Sequence, residues 1–91
     1  MELNKEILIS KMVECGIPDY MHESLAAYIL KHSRVGTFLT AVLSNQLVDS
    51  VKAADVKNML ALVGYAQFLY SYAPSNCWGS KAKVIMWLRN E

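Results

Sequence analysis

Organised charge is what this sequence has least of. Nine lysines and arginines face eight acids, leaving +1, and neither sign gathers into a run. A nucleic-acid binder draws much of its affinity from phosphate neutralisation and carries a basic stripe to do so. The nearest approach is Lys31, His32 and Arg34, followed later by Lys81, Lys83 and Arg89. That is enough for one small anion, and hardly for duplex nucleic acid. Cysteine is scarce as well. Cys15 and Cys77 stand outside any CxxC or Cys/His spacing, so the sequence offers no metal site. Two reduced thiols in a cytosolic protein explain them more simply than one disulfide.

Long apolar runs are also missing. The uncharged stretch from Met59 to Ser80 contains Gly64, Gln67, Pro74, Ser75 and Asn76. It breaks well short of the roughly 20 apolar residues a membrane helix needs. Glu2, Lys5 and Glu6 interrupt the beginning, where a secretory leader would be apolar. The expectation is a soluble, cytoplasmic protein.

Catalytic signatures are equally thin. No GxSxG surrounds Ser44 or Ser80, no glycine loop cradles phosphate, and no HExxH is present. His22 and His32 lie ten residues apart and read as solvated surface histidines. Asp49 and Asp55 can approach across a helix end, but capping accounts better for Asp55. The sequence points away from an enzyme and calls for no cofactor.

What is present is helical patterning over one domain, residues 1–91. A chain of this size buries about 64% of its unfolded surface, which supports a modest core. Its hydrophobic fraction of 54% exceeds what so small an interior absorbs, so a homo-oligomer or a partner is expected.

The spacing predicts five helices in an all-α bundle. The first runs from Leu3 to Cys15, with Asn4 near its start and Gly16 as a left-handed stop. The second begins at Pro18 and buries Met21, Leu25, Tyr28 and Ile29. The third spans Thr37 to Ala53 with Leu39, Val42, Leu43, Leu47 and Val51 on its apolar face. The fourth, capped by Asp55, runs from Val56 to Tyr72 and carries Met59, Leu60, Val63, Ala66, Leu69 and Tyr70. Ser80 caps a fifth through Arg89, with Val84, Ile85, Trp87 and Leu88 as contacts.

Two segments stand out. On the predicted third helix Thr37, Ala41, Ser44 and Val48 share one side, and Phe38, Val42, Asn45 and Asp49 the next. This stripe serves either close packing, with Asn45 bonded to neighbouring backbone, or a pocket or self-associating face lined by Thr37 and Asn45. The loop YAPSNCWGS, residues 72 to 80, joins Tyr72 and Trp78 to the helix start at Ser80. Such a combination suits a stacked base or a small anion, although a tryptophan plugging the bundle end explains it too.

Taken together, Ile17-Pro18, Leu25, Tyr28-Ile29, GTFLTAVLSN with Leu47, Ala54-Asp55, FLY with Pro74, and Trp78-Gly79-Ser80 carry a resemblance. Over about residues 16 to 87 the chain resembles a family of small helical proteins encoded by tailed phages and prophages. Its most specific parts are Gly36-x-Phe38-Leu39-x-Ala41-Val42-Leu43-x-Asn45 and Trp78-Gly79-Ser80. Gln46 stands where the family commonly has aspartate, so no role passes to it. The resemblance implies a phage protein acting stoichiometrically in the host cytoplasm. It would inhibit host defence by sequestering a nucleotide-type ligand or occluding a host protein. A helical DNA-binding or transcription regulator is the alternative. The expected binding residues are Arg34, Thr37, Phe38, Asn45, Tyr72, Trp78, Ser80 and Lys81. The Gly36–Asn45 segment and the Tyr72–Ser80 loop are expected to share one surface, with Arg34 and Lys81 supplying charge.

Overall fold

The computed structural model describes residues 4–90, which are all-helical and without strands. Seven α-helices and one 3-10 turn stand among these residues, in place of the five helices expected. The first, α1 (Lys5–Glu14), starts where Asn4 accepts the amide of Ile7 at 2.9 Å. The expected start at Leu3 lies outside the described residues. Gly16, at φ 78°, ends the helix as a two-bond Schellman turn, with Ile17 N–H donating to Met12 O and Gly16 N–H to Val13 O.

After a 3-10 turn at Asp19–Met21 comes α2 (His22–Lys31), packed on α1 and stopped by His32 in the left-handed region. The long third helix of the sequence reading is broken. The chain forms α3 (Thr37–Leu43), reverses through Ser44–Gln46 and resumes as α4 (Leu47–Ala53), which folds back on α3. The fourth is also divided, into α5 (Val56–Leu60) and α6 (Leu62–Tyr72). Ala61 N–H reaches both Lys57 O and Asn58 O there, and the Tyr65 hydroxyl spans the bend to Asn58 Oδ1 at 2.7 Å. Finally α7 (Lys81–Leu88) is capped by Ser80, whose Oγ accepts the Lys83 amide.

The core lies between α1, α2, α3 and α6. Leu8, Met12, Leu25, Tyr28, Leu39, Leu43, Tyr65 and Phe68 are almost wholly removed from solvent. The helices α1 and α6 meet at Gly64, where a β-carbon would lie 1.9 Å from the carbonyl oxygen of Cys15. Only glycine allows that approach.

Three corrections follow from this packing. Asn58, Ala61, Tyr65, Phe68 and Leu69 are the buried face of α5–α6, whereas Met59, Leu60, Val63, Ala66 and Tyr70, expected on the apolar face, are exposed. Leu47 and Val51 likewise leave the core because the break at Asn45 rotates α4 away from the stripe of α3. Neither histidine is a solvated surface group. His22 is buried, its Nε2–H donating to Ile17 O at 2.8 Å. His32 lies on the Trp87 ring, centroids 4.1 Å apart, and its Nδ1–H donates to Trp87 O. A carbonyl only accepts, so these contacts fix which ring nitrogen carries the proton.

Candidate binding site

A hollow opens where the α3–α4 corner, α6 and the loop before α7 meet. Its geometry begins with Asn45. That residue sits at φ 61°, its amide donating to Val42 O while Gln46 N–H donates to Ala41 O. These are the two bonds of a Schellman turn, and asparagine tolerates the left-handed backbone they require. Asn45 therefore ends a helix, and the reading of it as a mid-helix amide is corrected. The turn delivers Asn45, Gln46 and Leu47 to the rim.

The opposite wall comes from the loop. Tyr28 donates its hydroxyl to Cys77 O at 2.6 Å, holding the loop to the core. Gly79 N–H donates to Leu43 O at 2.8 Å, clasping the loop to the end of α3. Gly79 has φ 115°, a conformation that favours glycine. Together these bonds set Trp78 beside Asn45, and both line a hollow of about 120 Å³. Val42, Leu62, Ala66 and Leu69 complete its apolar walls, with Ser50 on the polar side. Ser50 is committed to Gln46 O at 2.7 Å. Trp78 Nε1 and Ser44 Oγ are buried without a hydrogen-bond partner.

Gln46 also borders a second, more open groove of about 690 Å³ between α3 and α4. Thr37, Thr40, Asp49 and Lys52 line it, and Thr40 turns its hydroxyl back to Gly36 O. The two recesses thus adjoin across one side chain.

The Gly36–Asn45 segment and the loop do lie together, but the residues expected to bind are dispersed. Asn45 and Trp78 share the hollow, and Thr37 belongs to the groove. Phe38 is a core residue, set edge-on to Tyr65 with centroids 5.3 Å apart. Tyr72 turns to α1, where Lys11 Nζ lies 5.2 Å from its ring centre. Ser80 is spent on its cap. Arg34 and Lys81 are exposed and line neither recess. The positive charge expected at the shared surface is therefore not placed there.

Burial governs the nearby titrations. Desolvation pushes the Cys77 thiol up to about 12, and it raises the Tyr28 phenol as well. Both groups are held in their neutral forms. Cys15 and Cys77 carry free thiols. Sequence reasoning missed Gln46, Leu47, Ser50, Leu62 and Ala66 as lining residues. The asparagine at the end of an apolar helical run was the one signal that could have announced the corner.

No three His, Cys, Asp or Glu residues gather as a metal site among the described residues. No helix there is long and apolar enough to cross a membrane. No family model matches the chain, and neither a curated protein nor a solved structure matches it.

Proposed function

We propose that the chain is a self-assembling binding protein that acts stoichiometrically rather than by turnover. The observation that carries this reading is a run of exposed apolar side chains on three successive helices. Leu47 and Val48 on α4, Val56 and Leu60 on α5, and Val63 and Tyr70 on α6 are between 69% and 83% exposed. Large apolar side chains so concentrated on one stretch of chain mark an association surface. Both histidines give a ring nitrogen to main-chain carbonyls within packed surface, which suits a structural rather than a catalytic use.

The adjoining recesses supply the binding half of the proposal. The open groove is large enough for a nucleotide-sized ligand and offers hydroxyl, amide and charged groups. With the phage resemblance, the reading becomes an inhibitor of host defence in the cytoplasm. It works by withholding a nucleotide-type signal or by covering a host protein.

Light scattering coupled to gel filtration, with thermal shifts against nucleotides and duplex DNA, tests this. A multimer stabilised by nucleotides or by a captured protein partner is expected. A monomer at micromolar concentration overturns the assembly. A dimer stabilised by duplex DNA alone replaces the reading with that of a helical regulator.

A further inference from the structure

The corner after α3 is written in residues that a straight helix also accepts. Where α1 ends on Gly16, α3 ends on Asn45, and no glycine or proline stands between Thr37 and Val63. Asparagine tolerates φ 61° without requiring it. Across the corner, Leu39, Leu43 and Leu47 keep the four-residue spacing of one continuous helix. Gln46 O accepts Ser50 N–H at 2.9 Å and the Ser50 hydroxyl at 2.7 Å, bonds that a continuous helix would make as well. Only the left-handed turn of Asn45, with Asn45 N–H on Val42 O and Gln46 N–H on Ala41 O, separates α3 from α4. Local pattern and packed fold disagree at this point, and the disagreement is confined to three residues.

What holds the corner shut lies elsewhere. The part before it, α1–α3, meets the part after it, α4–α7, through contacts between distant positions. Tyr28 donates to Cys77 O, Trp87 to Tyr28 O and Gly79 to Leu43 O, and the Phe38 ring sits on Tyr65. None of these contacts requires both sides to belong to one chain. Two chains opened at Asn45 re-form all of them by exchange, so the choice between a closed subunit and an exchanged pair falls to the corner and to new contacts between copies. Exchange relieves each chain of its left-handed turn and continues α3 into α4. It also lets Leu47 and Val48, 69% and 71% exposed in the closed subunit, meet the other copy.

We infer that Ser44–Gln46 is a hinge at which the chain opens, joining α3 and α4 into one helix, and that a second copy of this chain exchanges its α4–α7 part with the first. The inference rests on the reading of the chain as self-assembling and names one way in which the copies join. The two fail separately, because surface association is read on the parent by light scattering and exchange by the experiment below.

Leu60→Glu, at a position 81% exposed, serves as the background, since it acts on surface association and leaves the hinge sequence intact. In that background Asn45→Ala disfavours the left-handed turn in both copies. Light scattering should show its dimerisation constant raised on the order of a hundredfold, about tenfold for each hinge. Asn45→Gly, at ease in the left-handed region, should remain a closed monomer. Exchange is then identified by refolding carbon-13 labelled and unlabelled chains together and reading the Phe38–Tyr65 contact, 5.3 Å between ring centres, across the two kinds of chain. That contact is expected between chains in the dimer. The parent chain, mixed in the same way and refolded at millimolar concentration, is expected to show it too and makes the test independent of any variant that fails to fold. An alanine variant that associates no more than the glycine variant overturns the hinge. So does a Phe38–Tyr65 contact confined to single chains in both samples.

Discussion

Single residues carry most of what is local in this fold, and Asp55 shows how. Its Oδ1 accepts the Asn58 amide at 2.8 Å and so caps α5, while Oδ2 accepts the Tyr20 hydroxyl. The Tyr20 phenol, then the Asn58 amide, hold this carboxyl below its ordinary 3.8. The same contact raises the Tyr20 phenol to about 12, because the neutral hydroxyl is the donor. The acid's contribution is present above its unfolded pKa and is lost as pH falls through the lower folded value. Tyr20 behaves oppositely: its contribution is present below pH 10 and disappears as pH rises through about 12. Asp55→Asn keeps a good cap and an acceptor but cannot titrate. Urea unfolding between pH 2 and 6 should therefore fall less steeply for Asp55→Asn than for the parent, and identical slopes would remove Asp55 from the acid response. The cap was legible in the sequence, as was that of Ser80, because capping is settled within four residues; Asn4 was placed only near the start of its helix, and its role as the cap comes from the structure. The Tyr20 bond was not, since it joins positions 35 apart that only the packed fold brings together.

At the scale of elements, the difference between five helices and seven comes from how a stop is encoded. Gly16 is read easily as a stop because few other residues adopt φ 78° without strain. Asn45 performs the same task at φ 61°, yet the apolar spacing of Leu39, Leu43 and Leu47 runs through it unbroken. Periodicity therefore favoured one long helix, while the Schellman bonds of Asn45 and Gln46 decide for two. The physical test is substitution. Asn45→Gly should leave stability unchanged or slightly raised, whereas Asn45→Leu should cost about 1–2 kcal/mol by forcing a branched side chain into the left-handed region. Equal midpoints in urea for these two variants would deny the corner its role. The candidate site inherits this history. Asn45 and Trp78 were legible as unusual residues, and their neighbourhood follows from the Gly79–Leu43 bond. The groove across α3 and α4 was not legible, because it exists only where the predicted helix turns back on itself.

For the whole molecule, composition and structure meet at the apolar surplus. A hydrophobic fraction of 54% indicated that some apolar surface must stay outside, but not which face it would be. Spacing alone does not choose between two apolar sides of one helix. Gly64 and the Asn58–Tyr65 bond choose here, by turning the side of Tyr65, Phe68 and Leu69 toward α1 and the core. Leu60, 81% exposed, and Val63, 71% exposed, are left on the opposite side. A stable association of ordinary size covers about 800 Å² on each partner, and the exposed apolar side chains of α4, α5 and α6 are the candidates to supply it. If this face is the contact, Leu60→Glu places a charge in it without touching the core. Each subunit should then keep its helical spectrum, with its own stability changed by no more than about 0.5 kcal/mol, as for an ordinary surface substitution. Light scattering should show the assembly reduced to smaller species. Phe68→Ala is the contrasting change, emptying a fully buried site at a cost of about 3–5 kcal/mol and unfolding the subunit itself. An assembly that survives Leu60→Glu intact would move the association surface away from α5.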